Sequence, residues 1–174
     1  MTVRSDKLPG PLHKGWPGSI NWIALVLILA GVALRLRAYA APQSLWWDEA
    51  MLAENVISRS FSQLFTTLDF HQAAPPGWLI LEKTAVVTMG TSEFSLRLIP
   101  FIVSIASVPL FWLLARRCLP AVAALVGLGL FALSHDAGVF AAEVKQYSFD
   151  LFAGILVLLV VGRALRNGLS TPPH

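Results

Sequence analysis

Asp48 and Glu49 stand side by side in Leu45-Trp46-Trp47-Asp48-Glu49-Ala50, just after the first apolar run of membrane length. Adjacent carboxylates there sit where low dielectric meets water, so one of them can hold a tuned pKa close to a lipid-borne substrate. The chemistry open to Asp48 is general-base work or the positioning of an acceptor hydroxyl. The paired tryptophans fit headgroup depth, which places Asp48 at the membrane surface. A plainer reading makes both acids solvated loop residues.

Two further polar sets accompany them: His71 with Glu93 and Arg97, and Glu143, Lys145 and Tyr147 with Asp150. Polar groups at or in a bilayer are costly and become candidates for function. Lys145 as a point charge and Arg97 as a bidentate fork suit a phosphate leaving group. Their plainer readings are a snorkelling arginine at a span end and a solvated Lys145–Glu143 pair. Asp150 reads as a local cap or partner. His71 has no companion at metal-ligand spacing, so no metal site is expected on it.

The elements that must position these residues belong to a membrane protein. Of 174 residues 56% are hydrophobic and 13% charged, about half the charged share of a soluble domain. The net charge of +3 comes from basic residues at segment ends, a topology signal that excludes nucleic acid as the implied partner. Cys118 is the single cysteine and cannot form an internal disulfide.

Hydropathy predicts a first span from Ile20 to Leu34, extending to Tyr39 if Arg35 and Arg37 snorkel. Those two arginines then lie outside, against the positive-inside rule; they either snorkel or face an acidic or phosphate-bearing site near Asp48. Ala50 to Phe65 has an apolar stripe at helical spacing but is too polar to span, and is expected in the interface plane. After a turn at His71 to Trp78, the stretch to Met89 is short for a span and is also expected to be interfacial. Ser92 is the predicted N-cap of a helix entering a second span, Leu98 to Ala115. A third runs from Leu119 to Ser134 and a fourth from Tyr147 to Gly162. The fold class is thus all-α integral membrane, with about four transmembrane helices and interfacial amphipathic helices in a long first outer loop at 40–94. Four spans put Arg116-Arg117, Arg163 and Arg166 inside with the N-terminus and the acids outside.

The ordered set of Asp48-Glu49 after the first span, an interfacial helix, Pro75-Pro76, Ser92-Glu93-Phe94-Ser95-Leu96-Arg97-Leu98-Ile99-Pro100 and Ala115-Arg116-Arg117 resembles the N-terminal part of the GT-C-type membrane glycosyltransferases. The likeness spans roughly Leu34 to Arg166. It is similar to the protein O-mannosyltransferase and lipid A aminoarabinose transferase branch, bacterial members included. The resemblance implies inverting transfer of a sugar from a polyprenyl-phosphate-linked donor to a lipid, glycan or protein acceptor on the outer face, in a bacterial inner membrane. It implies that Asp48 serves the acceptor with Glu49 beside it, and that Lys145 and Tyr147 stand near the lipid phosphate, where arginine is commoner than lysine. Members often read His-Pro-Pro where this chain has Ala74-Pro75-Pro76, which removes the usual support for His71. Some members take a divalent metal; the sequence gives no separate support for one.

Members have more spans than this chain. The expectation is therefore a cytoplasmic tail at 1–18, a partial GT-C-like domain at 19–166 and a truncated cytoplasmic tail at 167–174, inactive or poorly stable alone. The competing readings are a non-catalytic membrane scaffold or remnant and a small helical transporter subunit.

Overall fold

A computed structural model describes residues 17–41 and 44–169. The expected tails fall almost wholly outside these residues. Every regular element described is helical.

Three helices are long and apolar enough to cross a membrane: α1 (Gly18–Ala40), α5 (Leu98–Cys118) and α8 (Tyr147–Leu169). At about 1.5 Å per residue each reaches the roughly 30 Å of a hydrocarbon core. Between α1 and α5 lie α2 (Trp47–Ser58), α3 (Pro76–Met89) and the short α4 (Glu93–Leu96). Twelve and fourteen residues make α2 and α3 too short to span. Ser92 caps α4 as predicted, accepting a bond from the Ser95 amide at 3.1 Å.

The third predicted span differs from expectation. It is a bent pair: α6 (Ala121–Ala132) followed, after a 53° turn, by α7 (His135–Val139) and a 3-10 turn at Phe140–Ala142. Ser134 makes the break by capping α7 through the Ala137 amide. The long interfacial helix expected to Phe65 also ends early, at Ser58, because Arg59 gathers the next segment. Its guanidinium bonds the carbonyls of Gln63 and Thr67 and pairs with Asp69 at 2.9 Å.

Two cores hold the chain together. One, of Ala24, Val108, Trp112, Ala115, Ala124, Leu128 and Ala132, joins α1, α5 and α6. Small residues dominate it because helices in lipid associate through close backbone approach. At Gly31 a β-carbon would lie 2.9 Å from the Ala132 side chain, so this crossing requires glycine. The other core packs Leu52 and Val56 of α2 on Trp78, Leu79 and Val86 of α3, with Leu96 and Val144.

Arg35 does neither of the things its sequence position suggests. Fully buried, it donates to Ser104 Oγ of α5 at 2.9 Å and to the carbonyls of Gly31 and Ala132 at 2.9 and 3.0 Å. Ala132 ends α6, so its carbonyl has no partner within the helix. Arg35 thus ties three helices together at the bend. Arg35→Leu is expected to destabilise the protein by about 2–3 kcal/mol, read as earlier thermal unfolding in detergent; an unchanged transition would refute the role. Arg37, by contrast, stays exposed.

Candidate active site

The first turn of α2 builds one wall of the site. Trp46 precedes the helix in extended backbone, and the Glu49 side chain reaches back to accept from the Trp46 amide at 2.9 Å. This closes the N-terminus in the manner of a capping box. Asp48 is thereby fixed in the first turn, where the helix dipole favours a carboxylate.

The second wall comes from the segment between α7 and α8, nearly a hundred residues later. The other Glu49 oxygen accepts the Val144 amide at 2.6 Å. Glu49 is 2% exposed, so one buried carboxylate satisfies a backbone donor on each wall. Such charge-assisted bonds are about twice as strong as neutral ones. The next residue, Lys145, then meets Asp48 at 3.2 Å.

The pair is asymmetric. The Lys145 side chain is 10% exposed and that of Asp48 60%, so the acid remains open to an incoming group while the amine is held. Gln72 holds it, accepting from Lys145 Nζ at 3.1 Å. Gln72 is itself anchored through the turn before it: the Asn55 amide side chain bonds the Asp69 amide at 2.8 Å and its carbonyl at 3.3 Å. Phe70 and His71, at φ 58° and 55°, then pass through the left-handed region that non-glycine residues seldom adopt.

Trp46, Asp48, Glu49, Glu143, Lys145 and Tyr147 line a cleft of about 200 Å³. Burial, and then the negative charges of Glu49 and Asp48, push the Glu143 carboxyl above its usual range; Lys145 and Arg97 pull it the other way. Tyr147 opens α8, and its ring lies 5.0 Å from that of Phe140. Five of the seven candidate residues, Asp48, Glu49, Glu143, Lys145 and Tyr147, therefore share one hollow.

Two do not. His71 is exposed and outside the cleft lining; its neighbour Gln72 makes the contact instead. Arg97 is buried beneath the site, 3.9 Å from Glu93, and acts on Glu143 through its charge. The solvated Lys145–Glu143 pair is replaced by Lys145–Asp48. Gln72 and the Val144 amide carry no signal in sequence, since a lone glutamine in a loop and a backbone N–H look like any others.

Among the described residues no group of three or more His, Cys, Asp or Glu could hold a metal ion. The acids of the cleft do not make a ligand set: both Glu49 oxygens accept backbone bonds and Asp48 is paired with an ammonium. A divalent metal therefore does not fit these residues as they stand.

Residues 73–171, more than half of the chain, match the family model described as dolichyl-phosphate-mannose-protein mannosyltransferase. Arg97, Glu143, Lys145 and Tyr147 lie within the match, Asp48 and Glu49 before it. No curated protein and no solved structure matches the chain.

Proposed function

Because the chain belongs to the dolichyl-phosphate-mannose-protein mannosyltransferase family, we propose that it takes part in sugar transfer from a polyprenyl-phosphate-linked donor to an acceptor hydroxyl at the outer membrane face, with the Asp48–Lys145 cleft as the reacting site. The observation that carries this is the 3.2 Å approach of Asp48 to Lys145, an open acid beside a held cation. A phosphate is a good leaving group, so the protein's task is to orient the acceptor, take its proton and stabilise the charge that develops on phosphate.

In this reading the acceptor oxygen bonds to the anomeric carbon as the bond from that carbon to the phosphate oxygen breaks, inverting the centre. The proton passes to the Asp48 carboxylate and the electron pair leaves with polyprenyl phosphate. Lys145, drawn away from Asp48, offers its ammonium to that phosphate, and Tyr147 lies beside it on the cleft wall. Glu49 serves as a positioning residue, because it is buried and each of its oxygens holds a backbone amide of one wall. Glu143 completes the cleft wall, its carboxyl held above the usual range by burial and by the neighbouring charges of Glu49 and Asp48.

The reading is tested in membranes carrying the protein and supplied with a radiolabelled polyprenyl-phosphate sugar. Lys145→Met is expected to slow transfer about 10²-fold, and Lys145→Arg to restore part of it. Full-rate transfer by Lys145→Met would remove the cation from the reaction.

A further inference from the structure

The C-terminal ends of α5 and α8 enclose a second hollow, of about 250 Å³, lined by Arg117 and Arg163 with Leu114, Leu158 and Leu159 among its walls. No acid lines it. We propose that this hollow binds the phosphodiester headgroup of an anionic phospholipid, on the membrane face opposite the Asp48–Lys145 cleft.

Depth is the first support. Tyr147 of the cleft begins α8 and Arg163 lies sixteen residues on; Arg97 precedes α5 and Cys118 ends it. At about 1.5 Å per residue these separations are about 24 and 32 Å. The hollow therefore lies close to one hydrocarbon thickness from the cleft, at the depth of the other leaflet's headgroups.

Chemistry is the second. The positive-inside rule accounts for basic residues at span ends, but it asks nothing of their arrangement. Here two arginines from two packed helices face one space. Each guanidinium can present a planar fork to phosphate oxygens, and the leucines continue the wall toward the membrane interior, where acyl chains begin. Basic pockets between transmembrane helices on one face are a known form of headgroup site. Arg116, with its guanidinium 5.9 Å from the Trp112 ring, is turned to another use. A second copy of the chain seated symmetrically here would set arginine against arginine, which disfavours that occupant.

The test uses the purified full chain in a neutral detergent, titrated with phosphatidylglycerol or phosphatidylcholine and read by native mass spectrometry. Phosphatidylglycerol should be retained about 10–30-fold more strongly. The double variant R117Q/R163Q should bring the two lipids to parity, whereas R37Q, an exposed arginine at the other end of the bundle, should leave the preference intact. Both groove arginines are exposed, so the double variant is expected to fold, and the parent's headgroup preference is a criterion independent of any variant. The assignment falls if the parent shows no preference or if R117Q/R163Q keeps it. It falls equally if inorganic phosphate displaces the lipid, or if Cys118 on the same wall oxidises readily in membranes to a covalent dimer.

Discussion

An Asp48→Asn protein should insert and unfold as its parent does, yet transfer sugar about 10²–10⁴-fold more slowly. The first half of that expectation follows from exposure. The Asp48 side chain is 60% exposed, and asparagine keeps an amide oxygen that can accept from the buried Lys145 ammonium beside Gln72, so no buried charge is left without an acceptor. The second half follows from what asparagine lacks. It keeps the shape and can still accept a bond from an acceptor hydroxyl, but it cannot take the proton.

Glu49 supplies the contrast that makes the result informative. Glu49→Gln replaces one acceptor oxygen with an NH₂ group facing either the Trp46 or the Val144 amide. A buried donor then confronts a donor, a loss of about 1–3 kcal/mol, and the two walls separate. The Glu49 variant is expected to lose thermal stability and rate together, the Asp48 variant rate alone. If both lost only rate, Glu49 would belong to the chemistry; if both lost only stability, the cleft would be structural and the transfer reading would fail.

Stability should fall as the pH rises from about 5 toward 9, and Glu82 is the group responsible. This residue of α3 is 0% exposed and neither carboxylate oxygen has a hydrogen-bond partner. Burial pushes its carboxyl up to about 9 from a usual 4.5. In the folded protein it is therefore neutral at pH 7, while in the unfolded chain it is ionised. Between the two values the unfolded state binds fewer protons, so each pH unit removes up to about 1.4 kcal/mol of stability. The stability is whole below the unfolded pKa and lost as pH climbs to the folded one, on the order of several kcal/mol across the window. Glu143 shifts in the same direction and adds to the slope.

Glu82→Gln should remove most of that pH dependence, and Glu82→Leu should also raise the melting temperature at pH 8, since an apolar side chain has no buried polar group left unpaired. Thermal unfolding in neutral detergent from pH 5 to pH 9 checks both. A parent whose midpoint is flat across that range would show that water or a partner reaches Glu82. Lys83, its neighbour in sequence, points elsewhere and bonds the Ile57 carbonyl at 3.0 Å, as expected of adjacent residues on a helix.

The membrane class, the three long spans and two helices, α2 and α3, too short to span were all determined by the sequence itself. Each rests on a local quantity: the length of an apolar run, the spacing of apolar residues, a capping serine. The prominence of Asp48 and Glu49 was local too, because adjacency is visible along the chain. So was the grouping of Glu143, Lys145 and Tyr147.

What the tertiary structure decided are the partnerships. Asp48 and Glu49 look alike in sequence, and only a backbone amide 95 residues away makes one a fixed brace and leaves the other open. Arg35 read as an interfacial charge until the end of α6 supplied it with a carbonyl 97 residues on. The bend after α6 depends on that bond and on the Ser134 cap, whereas hydropathy marks only where the apolar run ends, at Ser134, and not the 53° turn that follows. Gln72 replaced His71 at the cleft because Asn55 sets the turn before it. The physical reason is common to all four. Hydropathy and helical period report how a segment divides between lipid and water, while the protonation, exposure and role of a polar side chain depend on which groups distant in sequence satisfy it.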